Sequence, residues 1–180
     1  DPVQKVTLIP RGQAQGLTWF APNEEQGLTS KSQLRARIMG ALGGRAAEDV
    51  IFGQEEVTRW AGNDFQQVTN LASQMVTRFG MSELCLLSLE GQSQEVFLGR
   101  DLMTRSEYSD RIAGMIDAQV RRIVFHCYEE TLQLIQENRV VIDRLVDLLI
   151  ERETIDGDEF RQIVAEYVTV PEKERFVPVL

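Results

Sequence analysis

Between Ser109 and Asn138 the chain carries its longest amphipathic pattern. Ile112, Met115, Ile116, Val120, Ile123, Val124, Cys127, Leu134 and Ile135 line one side, and charged residues face them from the other. A helix built this way has to bury its apolar side against other elements, so the chain is committed to a helical core. Two further stretches repeat the pattern. Phe65, Val68, Leu71, Ala72, Met75, Val76 and Phe79 recur at helical spacing in a segment that ends at Gly80. Upstream, Ser30 and Gln33 have capping-box spacing ahead of Leu34, Ile38, Ala41, Leu42, Val50 and Ile51, the positions expected to be buried. Gly40, Gly43 and Gly44 interrupt that run. Each costs about 1 kcal/mol relative to alanine in a helix, which points to tight packing or to a break between two helices.

The rest of the chain is punctuated by turns. PVQKVTLIP, bounded by Pro2 and Pro10, reads as a strand, and Leu17, Thr18, Trp19 and Phe20 read as a second strand pairing with it antiparallel. Periodicity is lost from Met81 to Ser109, where LCLLSL and EVFLG suggest short extended pieces. Asn138-Arg139 breaks the long helix, and another follows from Val140 to about Arg152. Thr154 to Gly157 reads as a turn, Asp158 to Tyr167 as a last short helix, and the proline-bearing end as a loose tail. The expected fold is mainly α, a helical bundle with a small N-terminal antiparallel β element.

Composition narrows the function. The 180 residues suit one domain, and at 43% hydrophobic the chain should fold. With a formal net charge of −9 and no cationic cluster, it lacks the surface that phosphate neutralisation requires, so no nucleic-acid partner is expected. Two cysteines, Cys85 and Cys127, make no disulfide framework and suggest a reducing compartment. No signal peptide and no run of 18 apolar residues is present, which suggests a soluble piece. A start at Asp1-Pro2 rather than Met suggests that this piece comes from something longer.

The chemistry-bearing residues are few. His126 is the only histidine, so the chain cannot assemble a catalytic zinc site of the usual kind from its own imidazoles. His126 and Cys127, adjacent on one helix, point in different directions and make a poor ligand pair. Asp64 stands in the first turn of a helix, with Asn63 at the expected cap position and Gln66 at the capping-box position. It is either a dipole-complementing acid or one arm of a metal site. Glu48 and Asp49 read as a solvated face or a salt-bridging pair. Neither a nucleophile elbow nor a phosphate-binding loop occurs. The strand from Leu17 to Phe20 offers an edge to an extended peptide.

Taken in order, DPVQKVTLIPRG, GLTWFAP, ALGGRAAEDVIFG, AGNDFQQVTNLASQMVTRFGMS, FLGRD and ETIDGDEFRQIVAEY resemble successive blocks of the FtsH family, the membrane-anchored ATP-dependent zinc metalloproteases. EGQSQEVFLGRDLMTRSEYS, NRVVIDRLVDLLIERETIDGDEF and VPEKERFVP are most similar to its cyanobacterial and plastid branch. The resemblance implies that Asp64 is the third zinc ligand. The other two ligands and the catalytic glutamate belong to an HExxH helix that this chain does not contain, so no catalytic residue is expected here and the chain alone is expected to be inactive. Zinc held by three protein ligands lowers the pKa of its bound water towards about 7 and polarises the scissile carbonyl. The family also implies ATP in a separate AAA+ module, a homo- or hetero-hexameric ring, and unfolded or damaged membrane proteins as substrates. It implies anchoring in a thylakoid or plasma membrane, with this domain on the stromal or cytoplasmic side. Residues 1–167 would form the peptidase part and 168–180 a flexible tail, with Leu17, Thr18, Trp19 and Phe20 aligning the substrate. Two departures stand out. Arg59-Trp60 replaces a small threonine-and-glycine stretch, and Cys85-Leu86 replaces a Gly-Pro pair. They keep open an alternative, a catalytically inactive relative retained for assembly.

Overall fold

The computed structural model describes residues 2–10, 16–21, 29–58, 62–84 and 109–168, with Asn63 described by its backbone alone. LCLLSL beyond Leu84, EVFLG, Arg59-Trp60, Cys85-Leu86 and the tail beyond Val168 lie outside the described residues. The chain divides into two compact units. One comprises Asp1–Gly27 with Glu137–Leu180, and the other Leu28–Gln136.

In the first unit, β1 (Val3–Thr7) forms the centre of a three-stranded antiparallel sheet ordered β2-β1-β3. The strand β2 (Leu17–Phe20) runs beside it with Thr7 opposite Leu17 and Val6 opposite Thr18, and the register shifts between Val3 and Lys5. The third strand, β3 (Thr154–Asp156), corrects the expectation of a turn there. It places Ile155 opposite Val6, fully buried, although only three residues make up the strand. Thr7 secures the join: its hydroxyl donates to the Glu153 carbonyl at 3.1 Å and hydrogen-bonds the Thr154 hydroxyl at 2.8 Å. Glu153 adopts the left-handed conformation, φ 59°, that ends α4 (Arg139–Arg152) and turns the chain into β3.

The last helix, α5 (Gly157–Tyr167), leaves β3 without a linker. Asp156 caps it by accepting from the Glu159 amide at 2.9 Å, and Asp158 and Glu159 add favourable charge to its first turn. Arg161 reaches back to donate to the Val3 carbonyl at 2.7 Å.

The second unit packs α1 (Lys31–Phe52), α2 (Gly62–Thr77) and α3 (Asp110–Glu137). Its core joins Leu34, Ile38 and Leu42 of α1 to Val68, Ala72 and Met75 of α2 and to Cys127 of α3. Burying each of the larger side chains contributes about 1.5–3 kcal/mol. The expected capping box is present, with the Gln33 amide donating to Ser30 Oγ at 3.2 Å and the Ser30 amide to Gln33 Oε1 at 2.8 Å.

The glycine reading needs correction. Helix α1 runs unbroken through Gly40, Gly43 and Gly44, and among the described residues a Cβ at any of them would meet nothing within 4 Å. They mark no break in the helix and no close approach among the described residues. Ala41, Val50 and Ile51 are half-buried rather than core, whereas Ala46 is fully buried. At the end of α2, Gly80 takes φ 59°, the left-handed conformation that stops a helix, and the Met81 amide returns to the Met75 carbonyl at 2.8 Å.

Candidate metal centre

Helix α2 begins at Gly62, so Asn63 lies inside its first turn and does not precede it as a cap. Asp64 is the acidic residue of that turn and is half-buried. Its negative charge complements the partial positive charge of the helix start. One turn on, Val68 is fully buried against α1, while the adjacent Phe65 is 40% exposed. The local sequence thus places Asp64 where the apolar stripe meets solvent.

Zinc requires more than this residue. Among the described residues no three histidine, cysteine, aspartate or glutamate side chains come together to hold a metal ion. Asp64 is the right kind of donor, an oxygen ligand, but the donors described here do not make a zinc site.

His126 lies elsewhere on α3, mostly exposed, with Nε2 3.3 Å from Glu130 Oε1. The same carboxylate accepts two hydrogen bonds from Arg35, at 2.8 and 2.7 Å, an arrangement that raises the Arg35 pKa. Cys127, next in sequence, faces the core, and burial pushes its thiol up. The opposed directions of His126 and Cys127 are those expected of neighbours on a helix. A cleft of about 480 Å³ opens in this unit, lined by Arg35, Met75, Met81, Arg122, Ile123 and His126 among others; Asp64 is not part of its wall.

Sequence reasoning did not foresee the partners of Glu48 and Asp49. Both Glu48 oxygens accept from Thr58, one from its amide at 2.9 Å and one from its hydroxyl at 2.7 Å. The Thr58 bonds, the hydroxyl's foremost, hold the Glu48 carboxyl below its ordinary range. Asp49 accepts from the Tyr128 hydroxyl at 2.7 Å, fastening α1 to α3. Burial first, and then this bond, raise the Tyr128 pKa. Only the hydroxyl at Thr58, ten residues on, could have hinted at the Glu48 contact.

In the other unit, Leu17, Thr18, Trp19 and Phe20 are all exposed, and β2 is an edge strand paired with β1 alone among the described strands.

Peptidase family M41 matches residues 1–163. The ATP-dependent zinc metalloprotease FtsH of Trieres chinensis is 55% identical over 174 residues, covering 96% of this chain and 27% of that protein. The protein of the same name from Cyanidium caldarium is 54% identical over 168 residues, 93% of this chain and 27% of its own length. The chloroplastic ATP-dependent zinc metalloprotease FTSH 8 of Arabidopsis thaliana is 51% identical over 175 residues, 97% of this chain and 26% of that protein. The chain belongs to peptidase family M41. It corresponds to the C-terminal protease domain of FtsH proteins, those of plastids included, and spans about a quarter of the length of the relatives it matches. No described helix is long and apolar enough to cross a membrane.

Proposed function

We propose that this chain is part of the proteolytic domain of an ATP-dependent zinc metalloprotease and that Asp64 supplies one carboxylate ligand to its zinc. The observation that carries this reading is the position of Asp64, half-buried in the first turn of a helix whose next turn is fixed in the core. A lone carboxylate cannot retain zinc, so the remaining donors come from a part of the full-length protein outside these residues, as the length of the relatives allows. That protein works with an AAA+ module, as a homo- or hetero-hexamer anchored in a thylakoid or plasma membrane, and its substrates are unfolded or damaged membrane proteins. Residues 1–167 serve as the peptidase part and 168–180 as a flexible tail. The exposed edge β2, Leu17 to Phe20, suits main-chain pairing with an extended polypeptide.

The experiment compares the full-length protein with its Asp64→Ala variant. The parent should bind zinc and break down casein in the presence of ATP, and the variant should lose both. Parental zinc content and casein breakdown in the variant would remove the ligand assignment. A parent that binds zinc yet leaves casein intact would point instead to the inactive assembly role that Arg59-Trp60 suggests.

A further inference from the structure

We propose that β2 takes an extended polypeptide in one register: the backbone of Thr18 and Phe20 holds the peptide, and Trp19 selects a bulky apolar residue between the two bonded positions. This register rests on the reading of β2 as an edge that pairs with substrate.

The ladder itself assigns the outward groups. The Leu8 amide donates to the Glu153 carbonyl at 2.9 Å, beside the paired residues Thr7 and Thr154. Backbone groups alternate sides along a strand, so Val6 and Leu8 face β3 while Lys5 and Thr7 face β2. Their partners Trp19 and Leu17 therefore direct their amides and carbonyls at β1. The Ala21 amide, donating to the Pro2 carbonyl at 3.0 Å, continues that alternation. Thr18 and Phe20 point their backbone groups away from β1, to the side where no described strand lies. They present two amides and two carbonyls, one set about 7 Å from the other.

Sheet edges are ordinarily blunted by charge, by proline or by shortness. Strand β2 carries neither a charge nor a proline, and all four of its residues are exposed. The opposite edge, β3, is three residues long and ends in Asp156. The unprotected edge is β2.

Antiparallel docking continues the pattern of the sheet. One peptide residue bonded to Thr18 and another bonded to Phe20 bracket a third, which stands opposite Trp19. That third position makes the closer kind of cross-strand pair, with Cα atoms about 4.5 Å apart. Trp19 is 46% exposed and shares its face with the exposed Leu17. An indole with that much exposed surface favours an aromatic or β-branched partner across the strands. A small or charged residue there would leave the ring in water.

The test uses the 180-residue chain without zinc, and capped nine-residue peptides of alternating serine and threonine with one central phenylalanine. In the unbound chain, amide hydrogen exchange should be slow at Trp19 and Ala21 and fast at Thr18 and Phe20; the peptide should slow the latter two. N-methylation of the two amides flanking the phenylalanine should abolish binding, whereas N-methylation of the phenylalanine amide should leave it unchanged. Serine in place of the phenylalanine, or Trp19→Ser in the chain, should each weaken binding about five-fold, and both together little further. Thr18→Pro should weaken binding about ten-fold with little change in the unfolding midpoint, because proline there removes only an outward amide.

The reverse pattern of N-methylation, or parental binding in Thr18→Pro, overturns the register. Equal binding of the phenylalanine and serine peptides overturns the role of Trp19 and leaves the pairing edge standing. If no peptide binds, the edge reading fails and the register with it, while loss of casein breakdown in full-length Asp64→Ala would still uphold the ligand assignment. Should Thr18→Pro not fold, the N-methylated peptides decide the question alone.

Discussion

Gly157 lies so close to Val3 that a Cβ on it would stand 2.2 Å from the Val3 carbonyl oxygen and 2.9 Å from the Gln4 Cα. The atoms it would meet are backbone, which cannot move aside as a flexible side chain can. Gly157→Ala should therefore force β1 and the start of α5 apart and cost about 3 kcal/mol. Thermal unfolding of the variant checks this, and an unchanged midpoint would mean that the approach is looser than the structure has it.

The α1 glycines should behave in the opposite way. Gly40, Gly43 and Gly44 are helical, and among the described residues nothing lies within 4 Å of a Cβ at any of them. Alanine there removes unfolded-chain freedom without introducing a clash, so each substitution should stabilise this chain by about 0.5–1 kcal/mol. Denaturant unfolding reads the gain directly. A loss at any of the three would reveal packing that this chain does not show.

Ile38 is fully buried at the centre of the α1–α2–α3 core. Ile38→Ala should cost about 2–5 kcal/mol, from lost burial and the cavity left behind. Urea titration with an unchanged slope would assign the loss to stability alone. A cost near zero would place this residue outside the cooperative core.

Stability should decline at both ends of the pH scale, for separate reasons. The Cys127 and Tyr128 pKa values are raised by burial from ordinary values of 9.0 and 10.0. Their contribution is complete below those values and is lost as pH rises through the higher folded ones, because the unfolded chain ionises first. Tyr128→Phe should make the alkaline decline shallower. Glu48 behaves conversely, since its folded pKa is lowered from 4.5. Its contribution is present above 4.5 and is lost as pH falls through the lower folded value. Glu48→Gln should flatten that part of the acid decline. Unfolding midpoints measured from acid to alkaline pH check both limbs, and identical curves for parent and variants would remove the assignments.

The family, the helical character and most element positions were legible in the residues themselves. Helix periodicity, the Ser30–Gln33 capping box and the β2 segment from Leu17 to Phe20 are local patterns, and local patterns survive being read one residue after another. The place of Asp64 in the first turn of α2 follows from short-range sequence alone. What tertiary structure decided were the features that depend on distant partners. Thr154 to Asp156 is a strand because it meets Lys5 to Thr7, some 150 residues away, and nothing in three residues announces that pairing. The α1 glycines look like a break until the uninterrupted helix shows that core contacts from Leu34, Ile38 and Leu42 outweigh their unfavourable propensity. Glu48 reads as surface charge until folding brings Thr58 to both of its oxygens. Periodicity records which side of an element is apolar; which partner meets a polar group depends on where the chain returns, and that is set by the packing of the whole.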